Sequence, residues 1–497
     1  MATEPPETDA ADALVDRAEQ LAYLSDASGA LAWDQRVMMP EGGAPARGKQ
    51  LSALSTVTHD LLTEDEVGEW LDSLADRDLD DDQQVLYREL RRQYERADRV
   101  PGDLVGELTE TQSEAQQVWE RAKADSDFES FAPTLDDLRD LHLERASHID
   151  DAADPYEVMF EDGEPYLPLE RVEEIFDTLR EHLVPLIEEL KASDTEFTSP
   201  YDGEYDDDTQ MALCREIVDH LGYDWDRGRL DTAPHPFMVG PQFDARITTR
   251  FAADDPLGAV TSTVHEFGHA SYQHGLPDDQ YGHPLGQSRS SGVHESQSRF
   301  WENHVGRTEA FWEYATPIVN EHLDGDADPR EVYEAVNRIY PENKIRVEAD
   351  ELTYHMHIIL RSDVEREFVA GDIGVEEIPG RWNDLMDEYL GVRPETDAEG
   401  CLQDIHWTGG FASFQNYTVG SVLAAQLDAT MRDDLDVDGL VREGEFGPIR
   451  EWLTEHVHSH GQRYTTDELV EEATGEPLTA DYFVEYAEEK FGELYGV

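Results

Sequence analysis

The stretch PLGAVTSTVHEFGHASYQHG (256–275) decides how the rest of the chain is interpreted. Its apolar spacing and its closing glycine predict a helix. His265 and His269 are four residues apart, so on a helix both imidazoles lie on one face and can bind the same metal ion. Glu266, one position further round, can reach a water molecule beside that metal. The same pattern also arises in ordinary polar helices, so the metal site needs a third ligand to support it.

A third ligand is expected downstream, because a catalytic zinc site has three protein ligands and one open position. The candidate side chains are His274, His283, His294, Glu295 and Glu302. One common arrangement places the third histidine six residues after the second, and glycine stands there in this chain. Glu295 lies near a predicted helix start in SGVHESQSRFWENH (291–304) and is favoured over Glu302. The three histidines are expected at the surface or beside a ligand.

The charge of the chain predicts a salt-adapted protein. It has 113 acidic and 38 basic residues among 497, a formal net charge of -75. Such self-repulsion destabilises a compact state in dilute buffer, whereas molar salt shortens the screening length to about 3 Å. The acidic residues are spread along the chain and apolar residues keep helical spacing, which argues against a disordered acidic tail. Nucleic acid is not expected as a partner of this surface.

Most of the chain is predicted to form amphipathic helices. Leu14, Ala18, Leu21 and Leu24 make one apolar stripe, and similar stripes recur to about residue 192. Residues 194–210 have the composition of a loop, and 234–251 is the clearest strand candidate. We expect one mostly helical domain over 1–497, with an N-terminal helical part (1–195) and a catalytic part (196–497).

The N-terminal residues and the cysteines indicate the compartment. MATEPPETDA (1–10) lacks the basic and apolar regions of a signal peptide, and no apolar run is long enough to cross a bilayer. Cys214 and Cys401 are too few for a disulfide framework. A cytoplasmic protein without a membrane partner is therefore expected.

Six short signatures occur in one order along nearly the whole chain. They are LAWDQRVMMPEGG (31–43), DARIT (244–248), HEFGH (265–269), HESQ (294–297), IRVEAD (345–350) and GCLQDIHW (400–407). In these motifs the chain resembles the carboxypeptidase Taq (M32) family of metallocarboxypeptidases. The resemblance implies a single large helical domain with a central substrate cleft and a small β-sheet near the metal-binding helix, of gluzincin type. It also implies a homodimer that removes C-terminal residues with broad specificity but handles C-terminal proline poorly.

DARIT is expected to contribute to peptide binding. Asp244, Arg246 and Thr248 alternate, so on a strand all three side chains face one side. The strand backbone can pair with an extended peptide, and by resemblance the strand lines the cleft. The alternative is a buried, salt-bridged strand that anchors the fold.

The last two signatures are expected to bind the substrate. Arg346 is the leading candidate to bind the terminal carboxylate, since an exopeptidase needs a fixed cation there. Asp350, four residues on, is expected to orient Arg346 or a metal-bound histidine, although the two can also form an ordinary surface ion pair. Gln403 is expected to contact substrate and Asp404 to orient a neighbour. The oxyanion donors are expected among the side chains of His406 and Tyr417.

These assignments combine into a zinc-water mechanism on peptides with a free C-terminus. His265, His269 and Glu295 would hold Zn2+, although Co2+ fits the same ligands. Glu266 would act as general base and then return the proton to the leaving amine. Two alternatives remain open: an oligopeptidase of the same fold, and a non-catalytic peptide-binding protein.

Overall fold

A computed structural model describes residues 9–193 and 195–497. Its helices, in chain order, are α1 (Ala10–Val37), α2 (Ala44–Leu62), α3 (Asp65–Leu74), α4 (Asp81–Asp98), α5 (Gly102–Asp125), α6 (Phe128–Ile149), α7 (Pro155–Phe160), α8 (Leu169–Lys191), α9 (Asp207–Leu221), α10 (Pro256–Gly275), α11 (Ser291–Arg299), α12 (Glu309–Leu323), α13 (Pro329–Val336), α14 (Thr353–Ala370), α15 (Ile378–Leu390), α16 (Gln415–Asp434), α17 (Val437–Glu443), α18 (Gly447–His456), α19 (Thr466–Thr474) and α20 (Asp481–Tyr495). The strands are β1 (Leu230–Thr232), β2 (Met238–Val239) and β3 (Arg246–Thr249). The predicted fold class, mostly α with a small β-sheet, is confirmed.

The described residues form two compact units. The first contains the residues up to Arg99, Tyr205–Arg289 and Gly444–Leu469, and the second contains Val100–Glu204, Ser290–Glu443 and Val470–Val497. These boundaries differ from the predicted parts 1–195 and 196–497, and the single domain stays a prediction. None of the described helices is both long enough and apolar enough to cross a membrane.

The first unit is built on the predicted apolar stripe of α1. Asp9 caps this helix by accepting the N–H of Ala11. Leu14, Ala18 and Leu21 are buried, whereas Leu24 is only half-buried. The stripe packs with residues of α3 and α4 that recur at helical spacing, among them Val67, Leu71, Leu74, Leu86 and Leu90. Burial of these side chains is what makes the short α3 stable.

A three-stranded sheet also belongs to the first unit, in the order β1-β3-β2. β1 runs parallel to β3, with Leu230 opposite Ile247, and β2 runs antiparallel to it, with Val239 opposite Arg246. Both edges of β3 are therefore occupied, so the expectation that the DARIT backbone pairs with a peptide is wrong. The strand predicted over 234–251 is two short strands, and β1 precedes it.

The second unit is held by closely packed helices with large buried aromatic side chains, among them Trp301, Trp312, Trp382 and Trp407. α11 and α16 approach each other closely because each helix places a glycine against a larger residue of the other. A Cβ atom at Gly292 would lie 2.6 Å from Val419, and one at Gly420 would lie 2.5 Å from Cγ of Glu295. Glycine at these positions therefore sets the spacing of the two helices.

Candidate metal centre

α10 carries His265, Glu266 and His269, and the sheet fixes its position. Asp255 caps the start of this helix by accepting the N–H of Gly258 at 3.0 Å. Thr263 then donates to Oγ1 of Thr249 on β3 at 2.9 Å. This buried hydrogen bond lies two residues before His265. The predicted helix is confirmed, and its first half is tied to the strand that contains part of DARIT.

The second half of α10 is fixed by a buried ion pair. The hydroxyl of Tyr272 accepts the backbone N–H of Arg289 at 3.1 Å. The Arg289 guanidinium in turn donates to both carboxylate oxygens of Glu89, at 2.8 and 3.1 Å, and both side chains are nearly inaccessible. At the end of the helix, a Cβ atom on Gly275 would overlap the ring of His458.

The donor set of the candidate centre fits a divalent metal ion. The rings of His265 and His269 have centroids 5.0 Å apart. One ligand atom from each of His265, His269 and Glu295 lies within 4.8 Å of the other two. Two imidazoles and a carboxylate are the donors that zinc and related divalent ions accept. Glu266 lies between the two histidines in sequence and is 5% exposed.

Glu295 lies on α11, whose start is capped by two side chains. Ser290 accepts the N–H of Val293 at 3.2 Å. The buried Glu164 carboxylate accepts the N–H of Gly292. Acceptors at a helix N-terminus satisfy backbone donors that have no partner within the helix, which stabilises its first turn. The caps therefore fix the turn that carries Glu295.

The other downstream candidates have structural contacts of their own. Nε2 of His274 lies 3.3 Å from the carbonyl oxygen of Arg227, and Nδ1 of His283 accepts the N–H of Leu285 at 3.1 Å. Burial lowers the pKa of both histidines. His294 is half-buried beside Glu295.

Arg346 is buried and already paired. It lies in a single 3-10 turn, Arg346–Glu348, and is 6% exposed. Its Nε and Nη2 donate to the two oxygens of Asp404 at 2.9 and 2.7 Å, and Nη1 lies 3.3 Å from the hydroxyl of Tyr354. Burial alone would raise the pKa of Asp404, but hydrogen bonds from His406 and Arg346 hold it well below its usual range. Asp404 therefore engages the Nε–Nη2 edge of the guanidinium, and Nη1 lies on the side of Tyr354.

Asp350 does not have the role that its spacing predicted. The 3-10 turn ends before Asp350, so the two residues share no helical face. Its carboxylate accepts the N–H groups of Tyr340, Leu352 and Thr353 and the hydroxyl of Thr353. Asp350 therefore caps the start of α14, and the carboxylate that orients Arg346 is Asp404. Asp404 was expected to orient a neighbour, and the residue that it contacts, Arg346, lies 58 positions before it along the chain.

The amide of Gln403 is used by the backbone. It donates to the carbonyls of Lys344 and Glu399, both at 2.9 Å, and accepts the N–H of Arg346 at 2.8 Å. Helix α5 holds the same segment through Lys123, which donates to the Gln403 carbonyl at 2.8 Å. These contacts favour a role for Gln403 in fixing the Arg346 turn.

His406 and Tyr417 lie beside the Arg346 guanidinium. Nδ1 of His406 is 3.1 Å from Asp404. The Arg346 guanidinium lies 5.8 Å from the ring centre of Tyr417. Burial and the neighbouring Tyr354 raise the pKa of the Tyr417 hydroxyl, which Arg346 partly opposes, so the hydroxyl keeps its proton at neutral pH.

DARIT and the first signature form one structural group. Asp244 precedes β3 and accepts from Arg246 at 2.8 and 2.6 Å. The Arg246 guanidinium lies 4.5 Å from the ring centre of Trp33. Thr248 is fully buried, and its hydroxyl bonds the backbone of Phe237. These contacts resemble the salt-bridged strand that was the alternative interpretation.

A polar cavity of about 450 Å³ lies beside the C-terminal half of α10. Gln273, one helical turn after His269, is part of its lining, together with Asp26 and Tyr281. The Tyr281 hydroxyl donates to Asp26 at 2.7 Å, and burial raises the pKa of that carboxyl. No sequence pattern predicted this cavity, because its walls come from five separate segments of the chain.

Comparisons with known proteins agree over nearly the whole chain. A family model described as carboxypeptidase Taq (M32) metallopeptidase matches residues 13–491. Carboxypeptidase 1 of Bacillus subtilis is 36% identical over 496 residues, which covers 97% of both chains. Thermostable carboxypeptidase 1 of Thermus thermophilus is 36% identical over 503 residues, 97% of this chain and 98% of the relative. The solved M32 carboxypeptidase from Deinococcus radiodurans R1 matches with a TM-score of 0.94 and 37% identity, over 98% of this chain and 99% of that one.

Proposed function

This chain belongs to the carboxypeptidase Taq (M32) family of metallopeptidases, and we propose that it releases C-terminal amino acids from peptides with broad specificity, using zinc and Glu266 as general base. His265, His269 and Glu295 hold the metal in this proposal. The observation that carries it is the grouping of these three ligands, with their ligand atoms within 4.8 Å of one another. When bound, a divalent ion supplies a Lewis acid that polarises the scissile carbonyl and makes water more acidic.

Glu266 moves the proton in the proposed reaction. It takes a proton from the attacking water and gives it to the leaving amine, so that the carboxylate is restored after each turnover. Its place on α10 supports this role, because Glu266 directly follows His265 and is therefore only one residue around the helix from the metal-binding face. Its burial, at 5% exposure, also limits the access of bulk water.

Arg346 binds the terminal carboxylate of the substrate in this proposal. The bidentate contact with Asp404 fixes the guanidinium, and its Nη1 side remains for one carboxylate oxygen. Tyr354 links Arg346 to the proposed metal ligand Glu295. Its ring lies 5.9 Å from the Arg346 guanidinium and 4.9 Å from that of Arg299, which donates to Glu295. We propose that Asp244, Arg246, Thr248 and Gln403 support the substrate site through the protein contacts described above.

The oxyanion is stabilised by Tyr417 and His406 in this proposal. A protonated phenol is a hydrogen-bond donor, and burial in a low-dielectric site strengthens such a bond. The raised pKa of Tyr417 supports a donor role, and the contact of His406 with Asp404 supports a fixed imidazole.

Substitution Glu266→Gln tests the proposal. The variant should bind zinc as the wild type does, since no ligand is removed, and lose about 1000-fold in kcat, within the range for general-base catalysis. Glu451→Gln, on the exposed face of α18 in the same unit, is the matched control. Activity of Glu266→Gln within tenfold of wild type, or loss of its metal, counts against the proposed base.

A peptide digest tests the direction of cleavage. An unblocked peptide should shorten stepwise from its C-terminus, and the same peptide with an amidated C-terminus should resist. An oligopeptidase would cut both, and a peptide-binding protein neither. Metal analysis of the same preparation identifies zinc or cobalt.

We also propose a homodimer that works in a salt-rich cytoplasm. The net charge of -75 supports the salt requirement, because only screening over a few ångströms reduces such self-repulsion. Light scattering in molar potassium chloride tests the dimer, and a monomeric mass contradicts it.

A further inference from the structure

We propose that Arg299 is a positioning residue for the metal centre: it holds one carboxylate oxygen of Glu295 and leaves the other as the metal ligand, while Glu302 holds Arg299 instead of binding metal. This inference rests on the proposed metal site. It also gives a role to the second acidic ligand candidate of the sequence.

The contacts of Arg299 fix its guanidinium on three sides. Arg299 is the last residue of α11, one turn after Glu295, and its side chain is 15% exposed. Its Nε donates to Oε1 of Glu295 at 2.8 Å, and its Nη1 donates to Oε2 of Glu302 at 3.1 Å. The other Glu295 oxygen, Oε2, lies 3.3 Å from the hydroxyl of Ser298. The ring of Tyr354 lies 4.9 Å from the guanidinium carbon. A planar fork that bridges two carboxylates in this way restrains both of them.

A π-helix directly after α11 brings Glu302 to this place. Residues Phe300–Gly306 form it, and all are buried. In a π-helix the hydrogen bonds join residues five apart, a geometry that occurs frequently at functional sites. Arg307, five residues after Glu302, donates to its Oε1 through Nε at 3.2 Å and Nη2 at 3.1 Å. Glu302 therefore gives each of its oxygens to an arginine.

The charges explain why Glu302 is needed. A guanidinium beside a divalent cation repels it unless a carboxylate compensates the added positive charge. Glu302 lies on the far side of Arg299 and supplies that carboxylate. A second buried pair follows: Lys490 donates to Glu351 at 2.7 Å, and Glu351 lies near enough to Arg307 to stabilise it. Acidic and basic groups thus alternate from Glu295 into the interior of the second unit.

Zinc affinity is the measurement that tests this role. The metal-free protein is titrated with zinc against a chelator of known affinity, and its melting temperature is recorded. Arg299→Met should weaken zinc binding by about 10- to 100-fold, the usual effect of losing a side chain that orients a ligand. Arg299→Lys should fall between the methionine variant and wild type, since a point charge cannot bridge both carboxylates.

The matched control is Arg330→Met. Arg330 has the same pattern of partners, with Nε to Glu334 at 2.8 Å and Nη1 to Glu309 at 3.2 Å, but lies on α13 and is partly exposed. Its loss should leave zinc affinity unchanged. Glu302→Gln should weaken zinc binding by no more than about tenfold, because the compensating charge is lost but the amide oxygen still accepts from Arg299, whereas Glu295→Ala should abolish zinc binding.

Three results overturn the proposal. One is a zinc affinity of Arg299→Met equal to that of wild type and of Arg330→Met. Another is that the Glu302→Gln variant loses zinc while the Glu295→Ala variant still binds it. If Arg299→Met does not fold, Arg299→Lys decides, and wild-type affinity there overturns the proposal. A wild-type protein that binds no zinc instead contradicts the proposed function, so the two failures are distinguishable.

Discussion

A single methyl group added at Gly420 should weaken zinc binding more than it changes the free energy of unfolding. Gly420 lies in the interior of α16, directly against α11. A Cβ atom there would lie 2.5 Å from Cγ, 2.6 Å from Cβ and 2.9 Å from the backbone carbon of Glu295. Carbon atoms need about 3.5 Å or more, so Gly420→Ala must move Glu295 by about 1 Å. The contacting atoms are next to the backbone, so a rotamer change cannot relieve the overlap.

The displacement decides the size of the effect. A functional group must be held within about 0.5 Å of its working position, and a shift of 1 Å can cost about 100-fold. We therefore expect zinc affinity to fall by about 100-fold, or about 2.7 kcal/mol. Stability should change less, because overpacking costs about 1–3 kcal/mol while alanine gains about 1 kcal/mol over glycine in a helix.

The assay compares Gly420→Ala with Gly380→Ala. Gly380 lies in α15 of the same unit, and a Cβ there meets no atom within 4 Å. The control should keep zinc affinity and gain up to about 1 kcal/mol of stability. Zinc affinity is measured by chelator competition and unfolding by urea titration in molar salt. If Gly420→Ala bound zinc within threefold of wild type, the close packing of α16 on Glu295 would not position the ligand.

Three further predictions concern the substrate, the salt and the pH. Arg346→Ala should lower kcat/KM on free-acid peptides at least 100-fold, about 2.7 kcal/mol, with little further loss on amidated peptides; equal losses on both would make Arg346 structural. The melting temperature should rise strongly between dilute buffer and molar potassium chloride, and an unchanged value removes the charge argument. Burial lowers the pKa of His142 to about 4, whereas the pKa of the unfolded histidine is about 6.5. Between these two pH values unfolding takes up a proton, so the stability that is present above about pH 6.5 is lost as the pH falls towards 4. His142→Leu should flatten this slope by up to about 1.4 kcal/mol per pH unit in urea titrations, and an unchanged slope contradicts it.

The features that the sequence predicted are those set within one or two helical turns. The four-residue spacing of His265 and His269 requires only that α10 be a helix, and apolar periodicity is enough to predict that. Glu295 was proposed as a ligand because it lies near a predicted helix start, and the structure begins α11 at Ser291, next to Ser290 as its cap. The stripe of α1 was predicted for the same reason, and only Leu24 proved half-buried.

Sheet order could not be predicted in the same way. β3 looked like a strand with a free edge because its alternating side chains carry no information about its neighbours. The partner on one side, β1, is three residues long and lies before the predicted strand segment. Once β1 and β2 pair on both sides of β3, its backbone is used within the sheet, and the Thr248 hydroxyl turns to Phe237.

Arg346 shows how tertiary packing can override a local pattern. Its spacing to Asp350 is that of a helix-surface ion pair, which is worth a few tenths of a kcal/mol when both partners are exposed. Asp350 instead satisfies the free N–H groups at the start of α14, where an unpaired buried donor would cost about 1–3 kcal/mol. Asp404 takes its place beside Arg346, 58 positions away, because the buried guanidinium also needs a partner. The local ion pair is therefore not formed, because both of its members are buried and each makes a stronger hydrogen bond with another group. Those stronger partners are distant in sequence or set by the backbone, so they become visible only in the folded chain.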